Sequence, residues 1–223
     1  VIDMMYASIQ PLIIGAVLEY EALDPPAEPF SSLDSSSSRS ITPNDENNNT
    51  TCAGRKPSME CLIKELDRFH DLISKNFVPE DISVQMFGQI FYLICAHSLN
   101  QLLIRRDLCQ FRKAMQINFN LSCLVQWCRE HYLVRWREIV EHLDPITQAT
   151  KLLQTRKSSE DIATIEEVCN KLRPSQIIKI LNMYTSTYEE QITVDFIHEL
   201  ENYLNKTRST SCSQGDHFQR TLY

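Results

Sequence analysis

A chain of 223 residues with 22 basic and 29 acidic side chains carries a net charge of −7. That balance argues against a nucleic-acid footprint and against attraction to an anionic membrane surface. Four glycines, nine prolines and 43% hydrophobic residues exclude glycine-rich phosphate loops, propellers and hairpin-rich sheets, which need more glycine.

The predicted elements follow in chain order. The opening Val1-Ile2-Asp3-Met4-Met5 shows no basic region, apolar run and cleavage site, and the missing initiator methionine suggests a fragment of a longer protein. Ile9, Leu12, Ile13 and Leu18 mark one amphipathic helix, with Pro11 near a turn or kink. Residues 24–57 hold 19 Ser, Thr, Asn or Pro in 34 positions and few large apolar side chains. Such a segment cannot offset its ordering entropy by burial and is expected to be a disordered loop. Ser58 is placed as the N-cap of a helix carrying Leu62, Leu66, Phe69 and Ile73.

Pro79 suits the first turn of the next helix, expected to run to about Arg106 with apolar residues on most sides. Its longest apolar run, Ile90 to Ala96, is too short to span a bilayer and suits a core helix. Asn120 is expected to cap a helix with Leu121, Leu124, Val125, Cys128 and Tyr132 on one stripe. Ile139, Leu143, Ile146 and Leu153 keep helical spacing through Pro145; Ile162, Ile165, Cys169 and Leu172 form another helix. Pro174 opens one with Ile177, Leu181 and Tyr184, and Phe196, Ile197, Leu200 and Leu204 make the last. Residues 206–223 are mostly polar and are expected to be a flexible tail. With no sustained strand alternation, the fold class is all-α, a bundle of seven or eight helices.

Few residues point to chemistry. Five of the eight cysteines lie in apolar helix-like stretches, which fits free thiols in a reducing cytoplasm. Cys109, Cys123, Cys128 and His131 lack the paired short spacings of a zinc site, and no C-x-x-C occurs. No P-loop, G-x-S-x-G or H-E-x-x-H is present. The expectation is therefore no catalytic residue, no metal and no cofactor. Two features suit regulation instead. Arg105, Arg106, Arg112 and Lys113 form a basic cluster, either a helix-end charge feature or a patch for an acidic partner. Arg55-Lys56-Pro57-Ser58 sets two cations before a serine, a candidate phosphosite as well as a helix cap.

Several stretches go further. Gln101-Leu102-Leu103-Ile104-Arg105-Arg106-Asp107-Leu108-Cys109, Met115-Gln116-Ile117-Asn118-Phe119-Asn120 with Trp127, Leu143 to Gln154, and Cys169 to Tyr184 resemble the dilute domain. Ile9-Gln10-Pro11-Leu12-Ile13 and Leu18-Glu19-Tyr20-Glu21 resemble the helix before that domain's variable loop. The resemblance spans residues 9–23 and 58–204 and is nearest to the globular, cargo-binding tails of class V myosins.

That resemblance implies an elongated helical module. It divides the chain into the last helix of an N-terminal tail subdomain (1–23), a variable loop (24–57), the dilute-domain bundle (58–205) and the tail (206–223). It further implies a non-catalytic part of an actin-based motor, dimeric through a coiled coil outside these residues. Its partners would be vesicle adaptors, Rab-type GTPases and the motor's own head, which such tails inhibit. The setting would be cytoplasmic, on actin and transport vesicles. Dilute domains also occur in junctional scaffolds with Ras-association and PDZ domains, which is the alternative reading.

Overall fold

The structure, a computed structural model, describes residues 2–21, 57–185 and 192–215, with side chains through residue 208. The loop expected over 24–57 lies outside the described residues except for Pro57. Among the described residues there are nine α-helices and no strand, so the fold is an all-α bundle.

The first helix, α1 (Ile2–Ile13), contains Pro11 and widens into a π-helical turn over Ile14–Glu19. Helix α2 (Met59–Lys75) buries Met59, Leu62, Leu66, Phe69 and Ile73, one stripe at three- and four-residue steps. Gly15 faces the chain just before α2. A Cβ there would lie 2.8 Å from a Pro57 side-chain carbon, so only glycine permits this approach.

The bundle is built around α3 (Glu80–Leu102). Val84, Phe87, Ile90, Phe91, Ile94 and Leu102 are all buried, on several faces of the helix, which packs against α1, α5 and α6. An 18-residue window of this 23-residue helix has a mean hydropathy of 1.3, long and apolar enough to cross a membrane and beyond the seven-residue run that stands out in sequence. Two thirds of that window is nevertheless buried inside the bundle, as a core helix should be. Gly88 lets it approach His142, whose Nε2 would be 3.0 Å from an added Cβ.

The remaining helices are α4 (Phe111–His131), α5 (Trp136–Val140), α6 (Asp144–Gln154), α7 (Ile162–Val168), α8 (Pro174–Met183) and α9 (Val194–Gly215). A 3-10 turn over Glu141–Leu143 joins α5 to α6, and Pro145 sits in the first turn of α6, where its missing N–H costs no bond.

Three boundaries differ from the sequence expectations. Helix α3 stops at Leu102, and Arg106–Leu108 form a separate 3-10 turn. Asn120 caps nothing: α4 begins nine residues earlier, at Phe111, and Asn120 is fully buried within it. Its amide is needed elsewhere, on the carbonyls of Val17 and Tyr20. Helix α9 extends to Gly215, into the segment expected as tail. Arg208 on that extension donates to the carbonyls of Leu172 and Cys169, tying α9 to the chain beyond α7.

Candidate partner-binding surface

The basic cluster gathers at the connection between α3 and α4, where the chain after α1 also arrives. Asn120 holds that chain by two amide hydrogen bonds, 3.0 Å to Val17 and 2.9 Å to Tyr20. The acidic side chains on either side of Tyr20 then meet two of the four cations. Arg105 Nη1 lies 2.5 Å from Glu19 Oε1, and its Nη2 lies 2.8 Å from Asp107 Oδ2. Lys113 pairs with Glu21. The two carboxylates raise the Arg105 pKa, with the hydrogen bond to Asp107 the larger cause, and Arg105 in turn lowers that of Asp107.

The sequence therefore places all four cations together, and the structure divides their duties. Arg105 and Lys113 pair with the carboxylates of the Val17–Glu21 strap, which Asn120 holds to the bundle. Arg106 and Arg112 are exposed. Glu21, Gln110, Arg112, Lys113 and Gln116 line a hollow of about 170 Å³ beside them.

A neighbouring feature escaped the sequence reading. Phe111, Met115 and Phe119 are 46%, 45% and 41% exposed, and their four-residue spacing lays them along one face of α4. That spacing was the available signal, but the same period marks any buried helix face. Further along α4, Asn118, Ser122, Val125, Gln126 and Arg129 line an open groove of about 650 Å³ with Ile63 and Thr147.

Ser58 occupies the N-cap of α2. Its hydroxyl oxygen accepts from the Cys61 N–H at 3.3 Å and its O–H donates to Cys61 Sγ at 3.3 Å. The capping role read from sequence is present, and the side chain remains half-buried. Arg55 and Lys56 lie outside the described residues.

The four buried thiols among the described residues are built to stay quiet. Burial pushes Cys95 and Cys109 up to about 11 and Cys169 to about 12, with Cys128 higher still. Among the described residues no three His, Cys, Asp or Glu side chains are grouped to hold a metal ion.

Comparison with known proteins bears on the fold and the family. The DIL domain family profile matches residues 85–188. Human unconventional myosin-Vb is 34% identical over 203 residues, 89% of this chain and 10% of its own length. Chicken (Gallus gallus) unconventional myosin-Va is 33% identical over 196 residues, covering 86% of this chain and 10% of its own. The chain thus spans about a tenth of the curated relatives it matches. Among solved structures, Myo2-GTD in complex with Mmr1 superimposes with a TM-score of 0.72 at 19% identity, over 93% of this chain and 45% of that one. A yeast myosin 5 cargo binding domain superimposes with a TM-score of 0.72 at 20% identity, over 94% and 46%. At such identities the structures speak for the fold, and the sequence matches carry the kinship. The chain belongs to the dilute (DIL) domain family, in the non-catalytic form found in the globular tails of class V myosins.

Proposed function

We propose that the chain works as the cargo-binding and autoinhibitory tail segment of an actin-based class V motor. It would bind vesicle adaptors and Rab-type GTPases, and contact the motor's own head, in a cytoplasmic protein dimerised by a coiled coil outside these residues. The observation that carries this reading is the identity to class V myosins along 86–94% of the chain. Solved relatives of the same fold are Myo2-GTD complexes with Mmr1, Smy1 and Inp2. An exposed basic pair, Arg106 and Arg112, beside the Phe111–Met115–Phe119 face supplies charge and apolar area for such contacts.

The test is direct. The chain is titrated by calorimetry against Rab-type GTPases loaded with GDP or a GTP analogue, and against adaptor tail-binding segments. It is also added to an isolated class V motor head while actin-activated ATPase is followed. Saturable binding to an adaptor or to a GTP-loaded GTPase, with salt-sensitive inhibition of the head, is expected. Failure of all three would overturn the proposal.

A further inference from the structure

A second surface lies at the opposite end of α3, about 33 Å from the basic cluster along the helix axis. There the α4–α5 turn displays Leu133 and Val134, 81% and 88% exposed, side by side at its tip. The turn is held in place. Arg135 pairs with Asp81 at the start of α3 and with Glu138 on α5, and Tyr132 just before it shares a hydrogen bond with Ser83. Two large aliphatic side chains are therefore presented to water on a fixed frame, apolar area that a partner could cover without reordering the turn.

Carboxylates and guanidiniums mix around this tip, but two of its arginines pair with no carboxylate among the described residues. The guanidiniums of Arg129 and Arg137 lie 4.6 Å and 5.4 Å from the centroid of the half-buried Trp136 ring. Both are exposed, and neither forms an ion pair among the described residues. The ring keeps two like charges close and oriented while leaving their N–H groups open. At the same end of the bundle, Phe77 closes the α2–α3 turn with φ 52° and 92% exposure, a strained backbone for a bulky residue.

We infer that the α4–α5 turn is a docking site for an acidic amphipathic segment of a partner protein. Large apolar side chains of that segment cover Leu133 and Val134, and its carboxylates take the open guanidiniums of Arg129 and Arg137. Protein is favoured over lipid by charge. Glu80, Asp81 and Glu138 stand around the same turn, so an anionic bilayer gains little net attraction, whereas a peptide can place its carboxylates on the two arginines alone. The site is separate from the basic cluster and does not depend on the contacts proposed there.

The experiment selects binders to the whole chain from a displayed library of random peptides about 12 residues long. Vesicles of phosphatidylcholine with phosphatidylserine form the lipid arm, and sedimentation over a range of protein concentrations forms the self-association arm. The expected outcome is enrichment of peptides that combine large apolar residues with carboxylates. Two variants, checked for native helicity, then read the site. Leu133→Ser/Val134→Ser is expected to weaken the selected peptides at least ~10-fold, and Arg129→Gln/Arg137→Gln to weaken them ~3- to 10-fold and flatten the salt dependence. Enriched peptides that are basic, or whose binding ignores both variants, would overturn the inference, as would a library that yields no binder. Vesicle binding or self-association abolished by Leu133→Ser/Val134→Ser, without peptide binding, would assign the surface to lipid or to a second copy instead.

Discussion

The buried amide of Asn120 donates to the carbonyl of Tyr20 at 2.9 Å, tying two residues a hundred positions apart. A second bond from the same nitrogen reaches Val17 at 3.0 Å, and Gln116 donates to the Asn120 carbonyl oxygen at 3.3 Å. One side chain thereby closes the end of the π-helical turn onto α4, and its polar atoms are satisfied despite full burial. The strap's own ion pairs are half exposed and screened by solvent, so they add little. Asn120→Ala removes the amide and strands two carbonyls. It should cost about 2–4 kcal/mol in urea unfolding. A loss below about 1 kcal/mol would show that water replaces the amide at no cost.

A histidine pair sets an acid limit. The rings of His70 on α2 and His131 on α4 lie 4.4 Å apart, edge to face, with Trp127 against both. Burial lowers the His70 pKa and the charge of His131 lowers it further, while Asp71 and Asp67 pull the other way. The folded protein therefore binds fewer protons at His70 than the unfolded chain does. Stability from this site is complete above the unfolded value of about 6.5 and is lost as pH falls towards the lower folded value. Urea midpoints should drop as pH falls below about 6.5, and His70→Gln should flatten that slope. An unchanged slope in the variant would place the acid sensitivity elsewhere.

Much of the architecture was legible because helix periodicity and caps are local signals. The α2 stripe from Leu62 to Ile73, the Ser58 cap and the Pro174 start all rest on neighbours within one or two turns. Asn120 was misplaced for the converse reason. A buried asparagine serves partners about 100 residues away, and in sequence it looks the same as a cap. Likewise the basic cluster was visible as four nearby cations. That Arg105 and Lys113 are spent on Glu19 and Glu21 depends on where α1 returns, which no spacing encodes. The Arg129–Trp136–Arg137 arrangement depends in the same way on the turn that Arg135 pins to Asp81.

Ser58 offers a test of cap against switch. Ser58→Ala removes the acceptor for the Cys61 N–H and should cost about 1 kcal/mol. Phosphorylation would instead put roughly −1.5 to −2 charges at the α2 N-terminus, where the helix dipole favours anions. The phosphorylated chain should keep its melting temperature within a few degrees while its adaptor affinity changes. Unfolding on phosphorylation, or equal adaptor affinity in both forms, would leave Ser58 as a cap alone.

The basic cluster is tested by separating its two duties. Reversing Arg105 or Lys113 strikes the strap as well as any partner, because each meets a glutamate of the chain after α1. Arg106→Glu/Arg112→Glu alters the two exposed positions and should leave stability nearly unchanged. If an acidic partner such as the motor head docks here, that double variant should weaken binding ~5- to 20-fold at low salt and shrink the salt dependence. The swap Arg105→Glu with Glu19→Arg keeps the strap's ion pair in reverse, so it isolates what Arg105 gives a partner from what it gives the fold. Binding and salt slope that match the parent chain in a folded Arg106→Glu/Arg112→Glu protein would reduce the cluster to a helix-end feature. A loss confined to Arg105→Glu, and restored by the swap, would assign its role to holding the strap.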